Sequence, residues 1–332
     1  MGFKDVAGNS RVKKILRTAL QRHRVPNSLL FCGPEGVGKT AMARALAKAL
    51  NCKTGRDDAC EECESCKAIE AGRYPDVLGI APEKDIIKIE QMRFIKQFAH
   101  LKPFSGSKRV FIVEQADKMN EESGNSLLKV LEEPPSFTHI ILITTNPFLI
   151  LPTIRSRCQV LGFSTIGREE IERILVERGY PGQQAKLLSI ITGGNLERAL
   201  SSDWEEVRKF RQSTWECFLA LLEGKGSSDF LSKFVFQRRA AVKDELEDTM
   251  ELFATFYRDV ILIKEHGESR YLLNPDLEEA LRGTEGRWSL ERIERCLART
   301  DSVLSGLSEN RNLNVNLQAA VYYSNSGEWD HV

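Results

Sequence analysis

The amino-acid sequence predicts an α/β domain built on a parallel sheet, followed by two all-helical domains. Three observations carry that expectation. Short, continuous apolar runs alternate with helical segments over residues 1–163, and strands that are apolar throughout belong to a parallel sheet covered on both faces. A complete phosphate-binding loop joins the first run to the helix that follows it. After Phe163 the strand pattern ends and amphipathic helical stretches take over. A chain of 332 residues exceeds one ordinary core, so two or three domains are expected.

Taken in order, Ser28-Leu29-Leu30-Phe31 is the first strand and runs into a glycine-rich turn. Residues 40–50, rich in Ala, Leu and Lys, form the next helix. Val110-Phe111-Ile112-Val113 is a second buried strand and Ile140-Ile141-Leu142-Ile143-Thr144 a third. Between them residues 121–133 read as a helix stopped by Pro134-Pro135, because proline has no N–H to continue the ladder. Residues 168–178 and 183–191 are two short amphipathic helices, and Gly193-Gly194-Asn195 opens a third, giving a small helical domain at 164–203. Residues 204–332 form the last domain, with helical stretches at 204–222, 238–264, 290–304 and 314–324. Breaks such as Gly224-Lys225-Gly226-Ser227-Ser228 separate them. Their apolar stripes are bundle core or subunit interface.

Apolar content of 42% and charged content of 28% are those of a soluble globular protein. No apolar run approaches the roughly 20 residues that span a bilayer, and no signal-peptide pattern opens the chain, so a cytoplasmic protein without membrane partners is expected. A formal net charge of zero argues against bulk attraction to nucleic acid. Locally, basic residues up to position 50 far outnumber Asp5 and Glu35, which marks either a solvated helix face or a partner surface. Half of the eight cysteines fall in one cluster. That distribution favours metal binding in a reducing compartment over a disulfide framework. Cys32, Cys158, Cys217 and Cys296 are scattered and read as small buried apolar residues.

Two motifs carry chemistry. Gly33-Pro34-Glu35-Gly36-Val37-Gly38-Lys39-Thr40 satisfies G-x-x-x-x-G-K-[ST] in full, after a strand and before a helix. Its glycines let backbone N–H groups close around phosphates, Lys39 reaches the β- and γ-phosphates, and the Thr40 hydroxyl ligates Mg²⁺, so ATP with Mg²⁺ is expected there. Cys52, Cys60, Cys63 and Cys66 then form a module at 52–66. Four soft thiolates at short spacing suit a closed, structural Zn²⁺ site. Hydrolysis needs a Walker B strand ending in an Asp near Mg²⁺ and an acid that activates water. Here the strand ends Val113-Glu114-Gln115. Glu114 is one methylene longer than Asp, and Gln115 cannot take a proton, so nucleotide binding without efficient turnover in cis is expected.

At this point the chain resembles the AAA+ clamp-loader subunits of bacterial DNA polymerase III, the delta-prime branch in particular. The residues that carry the resemblance are Phe3-Lys4-Asp5-Val6-Ala7-Gly8, the phosphate loop and the cysteine module. To these are added Asn125-Ser126-Leu127-Leu128-Lys129-Val130-Leu131-Glu132-Glu133-Pro134-Pro135 and Ile154-Arg155-Ser156-Arg157-Cys158. The resemblance implies an AAA+ P-loop domain at 1–163, a helical lid at 164–203 and a collar domain for oligomerisation at 204–332. It implies that Arg157 is an arginine finger acting in trans on a neighbouring subunit's nucleotide, a role worth about 10³–10⁵ in rate. It implies gamma/tau-like motor and delta subunits as partners in a hetero-oligomer, with the sliding clamp and primer–template DNA met through the complex. Arg93 matches a position that contacts DNA phosphate in such relatives, and Lys129 is expected to face the same channel.

Two departures set this chain apart from the motor subunits. Glu114-Gln115 stands where they carry Asp-Glu. In Gly194-Asn195-Leu196-Glu197-Arg198-Ala199-Leu200, Glu197 takes the slot of their sensor Arg, and Arg198 lies one helical step away, about 100° round the axis. The polar pair Thr145-Asn146 falls at the end of the sensor strand. The competing readings are a self-sufficient motor ATPase and a zinc-containing DNA-binding regulator. No polymerase carboxylate constellation is evident.

Overall fold

The computed structural model describes residues 1–55, 57–223, 240–284 and 286–308. These divide into two compact units: residues 1–179 with 194–200, and residues 180–193 with the described residues from 201 onward. The first unit holds five strands, β1 (Ser28–Cys32), β2 (Val77–Ile80), β3 (Arg109–Val113), β4 (Thr138–Thr144) and β5 (Gln159–Gly162). They lie in the order β2-β3-β4-β1-β5, every pair parallel. The α/β expectation holds, and the phosphate loop leaves the carboxyl end of β1, flanked by β4 and β5.

The expected strands are the three inner ones. β2 and β5 escape the pattern because each pairs on one side only and is partly exposed, so neither Val-Leu-Gly-Ile nor Gln-Val-Leu-Gly forms a long apolar run. Helix α1 (Ser10–Gln21) also lies outside the expected elements, although Val12, Leu16 and Leu20 recur every fourth residue and are buried. The remaining helices of this unit are α2 (Lys39–Asn51), α3 (Glu64–Glu70), α4 (Ile89–Ala99), α5 (Glu121–Glu132), α6 (Pro152–Arg155) and α7 (Arg168–Glu177). A sheet covered on both faces makes two cores. Val110 and Ile112 of β3 pack with Leu16, Met42 and Leu46 on one face. Phe111 and Val113 pack with Met92, Ile95 and Leu127 on the other.

Helix α5 begins where Asn120 Oδ1 accepts the Ser123 N–H at 2.8 Å. It stops at Glu132, one residue short of the expected end. Glu133 precedes Pro134 and leaves the helical region, with φ −126° and ψ 62°. A buried pair braces the same unit. Arg109 Nη2 donates to Asp76 Oδ1 at 2.8 Å, and the Asp76 carboxylate also accepts the N–H groups of Phe104, Ser105 and Gly106.

Of the segment 164–203, helix α7 and all but the last residue of helix α9 (Leu196–Ser201) belong to the first unit and helix α8 (Gly182–Ile191) to the second. Among its described residues the second unit has no strand, and besides α8 its helices are α10 (Trp204–Leu222), α11 (Ala240–Lys264), α12 (Glu278–Arg282) and α13 (Leu290–Ser308). Asp203 caps α10 by accepting the Glu206 N–H at 3.0 Å. Its core is aromatic, with Tyr257 and Phe256 edge-on to Phe218 at centroid separations of 4.8 and 5.3 Å. The expected stretch at 314–324 and the break at 224–228 lie outside the described residues. Among the described residues, no helix is long and apolar enough to cross a membrane.

Candidate functional site

The phosphate loop spans the gap between β1 and α2, and two of its glycines are sterically required. A Cβ on Gly33 would lie 2.3 Å from the Phe163 carbonyl oxygen, where the chain leaves β5. Gly36 adopts φ +66°, and a Cβ there would fall on the Asn195 amide. Lys39 opens α2, and its buried ammonium donates to the Gly33 carbonyl at 2.6 Å and to that of Pro34. Burial lowers the Lys39 pKa, against the opposing charges of Glu35, Cys32 and Asp117. Loop N–H groups, a helix N-terminus and this ammonium make a compact cradle for an anion.

Three polar residues not singled out in the sequence shape this cradle. Asn9 Nδ2 donates to the Val37 carbonyl at 3.1 Å while Asn9 Oδ1 accepts the Ser164 N–H at 2.9 Å, tying the loop to the exit of β5. Asn195 caps α9 through the Arg198 N–H at 2.9 Å and rests against Gly36. Asp117 Oδ1 accepts the Thr144 hydroxyl at 2.6 Å. It thus joins the carboxyl ends of β3 and β4 and acts on Lys39. The spacing Glu114-Gln115-Ala116-Asp117, a second acid three residues after the one that follows the strand, was the available signal.

The Walker B positions diverge. Glu114 is half-buried, with Arg44 Nη2 3.9 Å from its carboxylate. Gln115 turns out of the strand with φ +47° and is exposed. At the end of β4, Thr145 is exposed and Asn146 Oδ1 accepts the Phe148 N–H at 2.9 Å. The buried polar group at that strand end is therefore Thr144, with Asn146 spent on the turn.

The cysteine module starts at the other end of α2. Cys52 caps α2 and Cys63 precedes α3, and the four sulfurs of Cys52, Cys60, Cys63 and Cys66 all lie within 4.8 Å of one another. Ligands on a tetrahedral zinc at about 2.3 Å stand about 3.8 Å apart, and Cys60 and Cys66 are separated by 4.0 Å. The N–H groups of Gly55 and Cys60 point at Cys52 Sγ (3.1 and 3.4 Å), and that of Cys63 at Cys60 Sγ (3.3 Å). Burial disfavours the Cys52 thiolate, but the N–H groups of Thr54, Cys60 and Gly55 outweigh it and lower the pKa. The Thr54 hydroxyl, then backbone N–H groups, bring Cys60 down to about 6. Burial pushes Cys66 up. The donor set fits a closed metal site and leaves no open position for chemistry. Asp58 anchors the module, accepting the Phe3 N–H and Arg17 Nη2, each at 2.8 Å. Buried Lys48 of α2 reaches Glu61 at 3.0 Å and also pairs with Glu70.

Arg157 lies between α6 and β5, at the amino end of the sheet. Its Nε donates to Glu132 Oε1 at 2.9 Å, Nη2 lies 2.5 Å from the same oxygen, and Nη1 donates to the Thr153 carbonyl at 2.9 Å. Arg93 on α4 and Lys129 on α5 are exposed, and neither has an ion-pair partner among the described residues. Of the basic residues near the amino terminus, Arg17 is paired with Asp58. Arg11, Lys14, Arg22 and Arg24 instead border a groove of about 450 Å³.

Comparison with known proteins follows the same lines. Residues 8–167 match the family model described as "DNA polymerase III, delta subunit". The chain is 31% identical to the DNA polymerase III subunit delta' of Bacillus subtilis, over 93% of this chain and 92% of that one. It is 35% identical to the DNA polymerase III subunit tau of Salmonella typhimurium and 33% identical to that of Bacillus subtilis. Each of those matches covers 60% of this chain but only 32% and 36% of the tau subunit. Identity at that level along nearly the whole of both chains settles the family: the chain belongs to the DNA polymerase III delta-prime subunits.

Proposed function

We propose that this chain is a clamp-loader subunit that binds ATP but hydrolyses it little, and lends Arg157 to the nucleotide site of a neighbouring subunit. One observation carries the reading: Arg157 and the phosphate loop sit at opposite ends of a parallel sheet. β1 and β5 pair directly, with Cys32 opposite Gly162. Arg157 lies five residues before Gly162, about 16 Å along a strand, which is farther than an extended arginine side chain. That separation supports a role for Arg157 on another chain's phosphate and not on its own.

In this reading Gly33, Pro34, Glu35, Gly36, Val37, Gly38, Lys39 and Thr40 hold ATP with Mg²⁺. Glu114 and Asp117 supply carboxylates beside the metal, and Gln115 stands where the water-activating acid is missing. Cys52, Cys60, Cys63 and Cys66 hold a structural Zn²⁺ that fixes the loop between α2 and α3. Arg93 and Lys129 meet DNA phosphates, which position without reading sequence. The helical second unit serves as the collar that assembles with gamma/tau-like and delta subunits, and the sliding clamp is met through that assembly. A motor-type reading has one observation in its favour, the unbroken phosphate loop with Asp117 beside it.

The test is DNA-stimulated ATPase of the assembled complex, with wild-type chain or Arg157→Ala. The variant is expected to lose the turnover of the site it completes while keeping its own fold and ATP affinity. Arg157→Lys should rescue poorly, because a point charge does not reproduce a guanidinium fork across two oxygens. An Arg157→Ala complex that turns over at the wild-type rate makes Arg157 an ordinary surface arginine.

A further inference from the structure

We propose that Glu132 is the positioning residue of Arg157, holding the guanidinium in one orientation before a neighbour's nucleotide arrives. The inference rests on the trans-acting reading of Arg157. Its ground is the geometry at the amino end of β5. Arg157 is held at all three nitrogens: Nε and Nη2 by the single oxygen Oε1 of Glu132, and Nη1 by the Thr153 carbonyl. Its backbone is fixed as well, the Arg157 N–H donating to the Ile154 carbonyl at 3.0 Å. Even so, the Arg157 side chain remains 34% exposed and accessible to a partner.

The brace is as firm as the helices that carry it. Glu132 is the last residue of α5, its place set by the proline-enforced stop at Glu133. α5 presses on the segment leading into Arg157 at Gly124, where a Cβ would lie 2.7 Å from Leu151 Cδ1 and 3.2 Å from Ile154 Cδ1. Glu132 therefore ends a helix that packs against the segment leading into Arg157. A free arginine side chain explores many rotamers, and ordering it fully during the reaction costs about 30-fold in rate. Ordering it beforehand recovers part of that factor. Glu132 also adds a negative charge beside the finger. It is 48% exposed, so solvent and salt screen that charge at the distance of a partner's phosphate. Orientation therefore dominates, and Glu132 aids the finger instead of restraining it.

The experiment measures kcat and KM for ATP in the assembled complex on primed DNA, comparing wild type, Glu132→Ala, Glu132→Gln, Arg157→Ala and the Glu132→Ala/Arg157→Ala double variant. Thermal melting of each chain serves as the fold control. At the site that this chain completes, Glu132→Ala is expected to lower kcat about tenfold with KM unchanged. Glu132→Gln keeps an Oε1 acceptor for Nε and is expected to stay within about threefold of wild type. The double variant should be no slower than Arg157→Ala alone, since a brace without its finger has nothing to hold. An unchanged or faster Glu132→Ala complex overturns the proposal, as does a double variant whose losses multiply. If Arg157→Ala itself is silent, the trans-acting reading fails first; if Arg157→Ala is slow and Glu132→Ala is not, only the brace is wrong.

Discussion

On β4, His139 is 3% exposed, with Nδ1 3.0 Å from the Pro26 carbonyl and Nε2 buried without a hydrogen-bond partner. The neutral ring donates through Nδ1, and a second proton would place an unsatisfied N–H at Nε2. Burial accordingly lowers its pKa to about 4. Between that value and the usual 6.5, the unfolded chain binds more protons than the folded one, so stability rises with pH across this window. The contribution is complete above pH 6.5 and is lost as pH falls towards 4. At pH 5 this residue alone is expected to remove about 2 kcal/mol relative to pH 8. Urea unfolding of wild type and His139→Gln at both pH values checks it. If the two proteins lose the same stability on acidification, the ring is not the source.

At the scale of elements, α2 joins two sites: Lys39 and Thr40 open it at the phosphate loop, and Cys52 caps it as the first sulfur of the cysteine module. Chelation, or Cys63→Ser, is expected to release about one zinc per chain and to loosen the loop and α3. The central strands should stay protected. Metal binding at such sites contributes on the order of 10 kcal/mol to local folding. Hydrogen exchange of residues 52–70 against residues 138–144 measures the difference; protein purified with well under one zinc, and indifferent to chelators, contradicts it. Elements like this one were legible because their signals are local. The strand–loop–helix of the phosphate site, the proline stop of α5 and the cysteine spacing each fit within a short stretch of chain. What stayed hidden depends on distant partners. β2 and β5 are strands only because β3 and β1 pair with them. Thr144 reaches back 27 residues to Asp117, and Asn195 meets Gly36 across 159 residues of chain. No window of sequence contains both members of those pairs.

Across the whole molecule, the groups proposed to act on nucleotide are divided between the two ends of the sheet. The cradle, with Lys39, Glu114 and Asp117 near it, lies at the carboxyl end of the sheet; the arginine that would stabilise a transferring phosphoryl group lies at the amino end. Gln115, exposed and left-handed just after β3, offers no base to water. The isolated chain is therefore expected to bind ATP with Mg²⁺ in titration calorimetry, and Lys39→Ala to abolish the heat. Turnover by the isolated chain should stay at background even with saturating ATP and primed DNA. Gln115→Glu restores an acid but no finger, so alone it should raise turnover only slightly. Two outcomes separate the readings. Isolated wild-type chain hydrolysing ATP as fast as a motor subunit favours a self-sufficient ATPase, because one sheet would then be doing what the proposed function divides between two. Binding that survives Lys39→Ala unchanged places the nucleotide somewhere other than this loop.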